Sequence, residues 1–188
     1  MKKSLTLELH ELFNSEKLIR YSYPFGSKGF PINGVYIFFE KGETITTPDG
    51  RVLDRIVRVG THEKDNRLFN RIDQHFKGNI KSSIFRKDIG EALSTNNEGM
   101  ISKYMQENLS FVIFEVATKE ERLYWEEKII LTLSKAAILG QISPSKKWLG
   151  NKSPKEKIRR SGLWQVEGIY IEELDKASIN KLMQIVEK

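Results

Sequence analysis

A run of β-branched and aromatic residues at positions 35–39, Val-Tyr-Ile-Phe-Phe, constrains the fold of this chain more than any other segment. Residues of these types favour a pleated, half-buried strand over a helix. A second run of the same kind occupies positions 52–59, after the turn-forming residues Pro-Asp-Gly at 48–50. Two strands joined by a short turn pair most simply as an antiparallel hairpin. The sequence therefore predicts a β-hairpin in the central sheet.

Helical periodicity replaces the strand pattern after Gly60. Apolar residues at 68, 69, 72 and 76 recur at the spacing of one helix face, and Asp65 or Asn66 is predicted to cap the start of this helix. The elements predicted beyond it are helices near 84–93 and 100–107, a strand at 109–116, a long helix ending near 137, a strand near 163–171 and a helix near 176–186. This order predicts an α/β (α+β) fold in which helices flank a small, mainly antiparallel three-stranded central sheet.

The composition excludes several classes of protein. The chain has 188 residues, 39% of them hydrophobic, which is enough to form the core of one domain. It contains no cysteine, so disulfide scaffolds, cysteine nucleophiles and cysteine metal sites are excluded. No apolar run approaches the ~18 residues of a membrane span, and the first residues do not form a signal-peptide core. We therefore expect a soluble, cytoplasmic protein without membrane contact, whose net charge of +6 suits a polyanionic partner.

Four polar residues stand where a packed domain does not need them. Tyr36 interrupts the apolar first strand, and Arg71 and His75 are four residues apart, on one face of the predicted helix. Glu126 is predicted to fall inside the apolar stripe of the long helix, next to Leu123. A carboxylate that faces a core costs several kcal/mol unless it is paired or binds a metal. Two simpler interpretations stay open: an Arg–Glu ion pair that joins two helices, and a core tyrosine with a satisfied hydroxyl.

These residues also occur in the order of a known family motif. The tripeptides at 34–36 and 58–60 are Gly-Val-Tyr and Arg-Val-Gly, and they are followed by Leu68, Arg71, His75, Glu126 and Pro144. In this order they resemble the GIY-YIG nucleases over about residues 33–148, including the His that follows the Arg in the restriction-enzyme branch. Two positions depart from the family pattern: Arg58 stands in the usual Tyr position, and Lys147 stands in the usual Asn position.

The resemblance implies a domain organisation and a chemistry. The nuclease core would span 33–148, with an N-terminal extension at 1–32 and a basic C-terminal extension at 149–188 packed on it. Tyr36 would act as the general base. One divalent metal ion, Mg²⁺ with Mn²⁺ as a substitute, would bind Glu126, and a single protein carboxylate is normal for Mg²⁺.

The roles of the candidate catalytic residues leave alternatives open. Arg71 can bind the scissile phosphate through two N–H groups, which a lysine cannot do. Either Tyr36 or His75 can receive the proton of the attacking water. Arg58 either orients the phosphate or is a surface charge on an edge strand. Asn151 either substitutes for the missing family Asn, or that role is lost.

The basic C-terminal stretch is the predicted nucleic-acid contact. Such a stretch would neutralise phosphates without reading the base sequence, whereas a solvated basic face is the simpler alternative. The residues predicted to contact nucleic acid are Lys147, Asn151, Lys152, Lys155 and Arg159. We therefore expect a Mg²⁺-dependent DNA endonuclease, and RNA as a substrate or a homodimer is compatible with the same sequence. The rival interpretations are a catalytically weak or inactive nucleic-acid-binding module on the same fold, and a basic adaptor for an acidic partner.

Overall fold

The computed structural model describes residues 4–166 and 176–186. Helices are α1 Leu5–Phe13, α2 Leu68–Lys77, α3 Ile84–Ala92, α4 Glu98–Asn108, α5 Lys119–Ile138, α6 Glu156–Ser161 and α7 Lys176–Val186, with a 3-10 turn at Leu149–Lys152. Strands are β1 Tyr21–Ser22, β2 Gly34–Thr46, β3 Val52–Gly60 and β4 Leu109–Glu115. The strand expected near 163–171 does not begin at 163–166, and its remainder lies outside the described residues.

The sheet is antiparallel throughout, with the strand order β1-β4-β2-β3. The predicted hairpin of β2 and β3 and the predicted α+β class are confirmed. The predicted number of three strands is wrong, because β1 adds a fourth strand to the edge of β4. Strand β1 has only two residues, and Tyr21 pairs with Phe111 and stacks on its ring. A strand of two residues has no alternation of polar and apolar positions by which a sequence could reveal it.

Each face of the sheet is covered by a separate hydrophobic core. Because successive side chains of a strand point to opposite faces, Val35 and Ile37 of β2 enter one core while Tyr36 and Phe38 enter the other. Helices α1, α5 and α7 contribute to the first core, and α2, α3, α4 and α6 to the second. The Tyr36 side chain therefore enters the second core, whereas Glu126 belongs to α5, which packs against the first core.

Helix α5 packs with a face that matches only part of the predicted stripe. Leu123, which was expected to point inward, is 41% exposed, whereas the expected Ile130 and Leu133 are buried together with Trp125 and Ile129. Glu126 is half-buried at the edge of this face. The prediction that Glu126 shares the face of Ile130 and Leu133 is therefore confirmed, whereas its placement beside an inward-facing Leu123 is wrong. Trp125, which is absent from the predicted stripe, is the large side chain that determines which face packs.

Helices α1 and α7 pack on the same side of the sheet. Leu9 and Phe13 of α1 and Ile179 and Leu182 of α7 lie in one core with residues of β2 and α5. The division into a core at 33–148 and two extensions stays a prediction. Within the described part of the chain, none of the helices is long and apolar enough to cross a membrane.

Candidate active site

Tyr36 lies at the end of the sheet that carries both tripeptides, residues 34–36 of β2 and 58–60 of β3. It pairs with Gly60 across the hairpin, and a Cβ atom at Gly60 would collide with the Tyr36 ring. Gly34 is equally constrained, because its Cβ would collide with the carbonyl oxygen of Phe114 on β4. Each tripeptide glycine is therefore required by a close approach, one to a side chain and one to a neighbouring strand.

The loop after β3 fixes the start of the first tripeptide. The Thr61 hydroxyl donates to the Gly34 carbonyl at 2.8 Å, and the Gly34 N–H donates to His62 Nε2 at 3.3 Å. His62 Nδ1 lies 2.7 Å from the Lys64 carbonyl, so both ring nitrogens of this buried histidine are engaged. Burial lowers the pKa of His62, which keeps Nε2 available as an acceptor.

A buried hydrogen-bonded chain connects Tyr36 to the helix layer above it. The Tyr36 hydroxyl oxygen lies 2.9 Å from His75 Nε2, and His75 Nδ1 lies 2.8 Å from Ser83 Oγ. Tyr36 is 1% exposed and His75 is fully buried. Burial raises the pKa of Tyr36. Burial and the nearby Arg58, Arg71 and Arg86 guanidinium groups hold the pKa of His75 well below its ordinary value, so this imidazole is neutral.

Arg71 is held beside Tyr36 by the turn that follows α2. One of its N–H groups donates to the Ser82 carbonyl at 3.0 Å. Its positive charge opposes the rise in the pKa of Tyr36 that burial causes. Residues 82 and 83 thus orient Arg71 and His75 together, one through a main-chain carbonyl and one through a side chain.

Arg58 points into the protein. It is 8% exposed, one N–H donates to the Trp164 carbonyl, and the guanidinium lies 4.6 Å from the centre of the Phe85 ring. The interpretation of Arg58 as a surface charge on an edge strand is therefore wrong, although β3 is the outer strand of the sheet within residues 4–166 and 176–186. Its charge lowers the pKa values of both Tyr36 and His75.

Glu126 approaches the same group from the other layer. Gly34 pairs with Glu115 at the end of β4, and α5 begins four residues later, so its second turn lies at the sheet end that carries Tyr36. Burial is the largest cause of the raised pKa of Tyr36, and the negative charge of Glu126 adds to it. Tyr36, His75, Arg58 and Arg71 thus lie together, and Glu126 acts on Tyr36 electrostatically from α5.

The donor set fits a hard cation held by one carboxylate. Among the described residues no three His, Asp or Glu side chains cluster in a way that could chelate a metal. Mg²⁺ does not need such a cluster, because it keeps several water ligands and takes others from substrate phosphate. Glu126 is half-buried, and its charge acts on the same tyrosine as the charges of Arg58 and Arg71. The residues present therefore fit Mg²⁺ and do not fit a closed zinc site.

The predicted nucleic-acid contacts divide into exposed and engaged side chains. Lys147 and Lys152 are exposed. Lys155 forms ion pairs with the buried Asp88 and, at 3.4 Å, with Glu91. The remaining two contribute to the local turn, since Arg159 donates to the Ser153 carbonyl and Asn151 donates to the Ser145 carbonyl at 2.9 Å.

The segment after Pro144 is anchored to the sheet by a buried carboxylate that the sequence did not single out. Glu40 of β2 accepts hydrogen bonds from Trp148 Nε1 at 3.1 Å, from Trp164 Nε1 at 2.8 Å and from the Tyr104 hydroxyl. Burial raises the pKa of Glu40. This anchor positions the Trp164 carbonyl that holds Arg58. The only sequence signal for it is an acidic residue at the end of an apolar strand, which normally indicates a turn.

The fold is thus an α+β domain with a tyrosine-centred, cation-rich site at one end of its antiparallel sheet. A family model described as a GIY-YIG domain matches the chain in two overlapping stretches, residues 9–106 and 94–188, and the chain belongs to this family. No curated protein and no solved structure is similar enough to match. GIY-YIG proteins are generally endonucleases and typically use divalent metals, so membership supports a nuclease-type function on a nucleic-acid substrate.

Proposed function

We propose that this protein is a Mg²⁺-dependent endonuclease that hydrolyses DNA phosphodiester bonds at the site around Tyr36. The observation that carries the proposal is the position of the Tyr36 hydroxyl, 2.9 Å from a neutral His75 and under the influence of Arg58, Arg71 and Glu126. A proton acceptor, two cations for phosphate oxygens and one carboxylate for a metal are the groups that phosphodiester hydrolysis requires.

In the proposed reaction the oxygen of a water molecule bonds to phosphorus while the bond from phosphorus to the leaving oxygen breaks. Tyr36 first loses its hydroxyl proton to solvent and then, as its phenolate, takes the proton of the attacking water, while the leaving oxygen gains a proton from solvent. Arg71 and Arg58 bind the non-bridging phosphate oxygens, where negative charge increases in the transition state. Glu126 would hold the Mg²⁺ ion, which supplies Lewis-acid stabilisation to the phosphate when it is bound.

The surroundings of the two candidate bases favour Tyr36 over His75 as the proton acceptor. Protonation of His75 would place a fourth positive charge in a fully buried position that already faces Arg58, Arg71 and Arg86. Burial raises the pKa of Tyr36, but Arg58 and Arg71 oppose this rise, so the neighbouring cations favour the proton-accepting form of Tyr36 and disfavour protonation of His75. His75 therefore acts in the proposal as a neutral hydrogen-bonding partner of Tyr36.

Cleavage of supercoiled plasmid with Mg²⁺ and with a chelator tests this proposal. Glu126→Gln should reduce cleavage at least about a hundredfold, while DNA affinity stays within a fewfold of the original protein. Glu127→Gln is the matched control, because Glu127 is the adjacent, exposed carboxylate of the same helix and should leave cleavage unchanged. Equal losses in the two variants would contradict the assignment of the metal to Glu126.

The same assay separates the proposal from its rivals. Two observations favour a binding module: the Arg58 guanidinium is engaged by the Trp164 carbonyl, and the Asn151 amide is engaged by the local turn. If the purified protein binds DNA but no divalent ion supports nicking, the interpretation as a binding module replaces the interpretation as an endonuclease. Cleavage of RNA in preference to DNA would correct the substrate class. A homodimer stays a prediction that light scattering can test.

A further inference from the structure

We infer that Ser83 fixes His75 in the tautomer with its hydrogen on Nε2, so that the imidazole donates a hydrogen bond to the Tyr36 oxygen. Ser83 is then a positioning residue, and its effect on catalysis rests on the proposed function. The contacts that carry the inference are the 2.8 Å separation of Ser83 Oγ and His75 Nδ1 and the 2.9 Å separation of His75 Nε2 and the Tyr36 oxygen.

The hydrogen bonds of Ser83 decide which tautomer is satisfied. Ser83 is the N-cap of α3, and its Oγ accepts the Arg86 N–H at 3.3 Å. A hydroxyl has a single hydrogen, and Ser83 is 1% exposed, so water cannot easily accept that hydrogen. Among the described contacts of Ser83 Oγ, His75 Nδ1 is the group that can accept it. If Nδ1 carried a hydrogen, the buried Ser83 hydroxyl hydrogen would lack an acceptor, which is costly.

The hydrogen bond between His75 and Tyr36 is compatible with a hydrogen on Nε2. With its hydrogen on Nε2, His75 donates to the Tyr36 oxygen, so this contact does not use the Tyr36 hydroxyl hydrogen. When Tyr36 becomes a phenolate, the donated bond becomes charge-assisted and therefore stronger. In the opposite tautomer, the lone pair of Nε2 would face the phenolate oxygen. This lone pair would destabilise the phenolate.

The other two histidines in the chain supply an internal reference. His10 Nδ1 lies 2.8 Å from the Thr6 carbonyl, and its Nε2 accepts the Ile56 N–H at 3.2 Å. His62 likewise faces a carbonyl with Nδ1 and accepts a main-chain N–H with Nε2. Both of these rings must carry their hydrogen on Nδ1, because a carbonyl can only accept and a main-chain N–H can only donate. His75 should therefore be the one histidine of the three with its hydrogen on Nε2.

Long-range ¹⁵N–¹H correlation spectra of histidine-labelled protein at pH 7.5 test the tautomers directly. We expect two rings protonated at Nδ1 and one at Nε2, and the Nε2–H pattern should disappear in His75→Asn. A spectrum in which His75 is protonated at Nδ1 would overturn the inference even if the protein cleaves DNA. An Nε2–H pattern in a protein that never cleaves DNA would support the tautomer and overturn the proposed function.

Three substitutions of Ser83 test its effect on catalysis. Ser83→Thr keeps a hydroxyl, so the His75 tautomer should be unchanged and kcat should stay within about threefold of its original value. Ser83→Asp can still cap α3 but can only accept, so His75 should move its hydrogen to Nδ1 and kcat should fall about ten- to a hundredfold with KM nearly unchanged. If the aspartate variant does not fold, Ser83→Ala should show both tautomers and a kcat about tenfold lower. Unchanged kcat in Ser83→Ala, together with a mixed tautomer, would overturn the positioning role.

Discussion

At the scale of single residues, the absence of a side chain at Gly60 is what permits the placement of Tyr36. The aromatic ring crosses the neighbouring strand at the position where these two residues pair. On the other side the hydroxyl meets His75, which belongs to a separate helix. The ring is thus held between a backbone and an imidazole, and either contact limits where the hydroxyl can lie.

Gly60→Ala should therefore damage the site more than it damages the fold. The new methyl group would push the Tyr36 ring away, with a loss of about 1–3 kcal/mol in the free energy of unfolding and at least a tenfold loss of cleavage. Gly26→Ala is the control, since a Cβ there meets no atom within 4 Å. Urea denaturation and plasmid cleavage measure the two effects. Full activity in Gly60→Ala would contradict the positioning of Tyr36 described above.

Some of the candidate site follows from sequence and some does not. Periodicity places Arg71 and His75 on one helix face, because residues four apart in a helix are neighbours whatever surrounds them. The partners that orient them, the Ser82 carbonyl and the Ser83 hydroxyl, come from a turn in which no spacing rule applies. The burial of Arg58 was also unpredictable, because the carbonyl that holds it is 106 positions away in the chain.

At the scale of elements, helix starts and helix faces depend on contacts that a local pattern does not contain. The predicted cap of α2 at Asp65 or Asn66 is wrong, since the helix begins after Arg67. Asp65 instead pairs with the buried Arg122 of α5 at 2.6 Å, and Asn66 adopts a left-handed conformation with φ of 62°. By contrast, α7 begins and ends at the predicted residues 176 and 186, because its apolar spacing is regular.

The junction of α1 and β3 should make stability depend on pH through His10. Burial lowers the pKa of this histidine from 6.5 to about 4. Between those values the unfolded chain binds more protons than the folded one, so stability falls as the pH drops from about 6.5 toward 4. The expected loss is about 3 kcal/mol. Urea denaturation at pH 7, 5.5 and 4 measures it.

His10→Gln is the control for this pH dependence. Its amide can still donate to the Thr6 carbonyl and accept the Ile56 N–H, but it does not titrate. The stability of the variant should therefore fall less steeply between pH 6.5 and 4. An identical slope in both proteins would show that other groups cause the loss.

At the scale of the whole molecule, the C-terminal segment both completes the site and presents charge to solvent. Trp148 and Trp164 tie it to Glu40, and the Lys155–Asp88 pair ties it to α3. The sequence gives no basis for distinguishing the basic residues of this segment, but they have different roles in the fold. Charge alone could not distinguish them, because an ion pair with a buried carboxylate is visible only in three dimensions.

Substitution of the exposed and the paired lysines should separate affinity from stability. Lys147→Ala combined with Lys152→Ala should weaken DNA binding and reduce the slope of log K against log salt by about 2. Lys155→Ala should instead lower the free energy of unfolding by about 1–3 kcal/mol, because it leaves the buried Asp88 without its cation. Fluorescence anisotropy at several salt concentrations and urea denaturation measure the two effects. The reverse pattern would contradict this division.

The sheet separates two hydrophobic cores, and mutations in the two cores should affect different parts of the candidate site. Glu126 is carried by the layer of α1, α5 and α7, whereas Tyr36 and His75 face the layer of α2 and α3. A mutation that repacks the first layer shifts the carboxylate and leaves the Tyr36–His75 contact in place. When a random library is selected for a different metal preference, we therefore expect substitutions in the core against which α5 packs. When the same library is selected for a different pH optimum, we expect substitutions among the residues that contact α2.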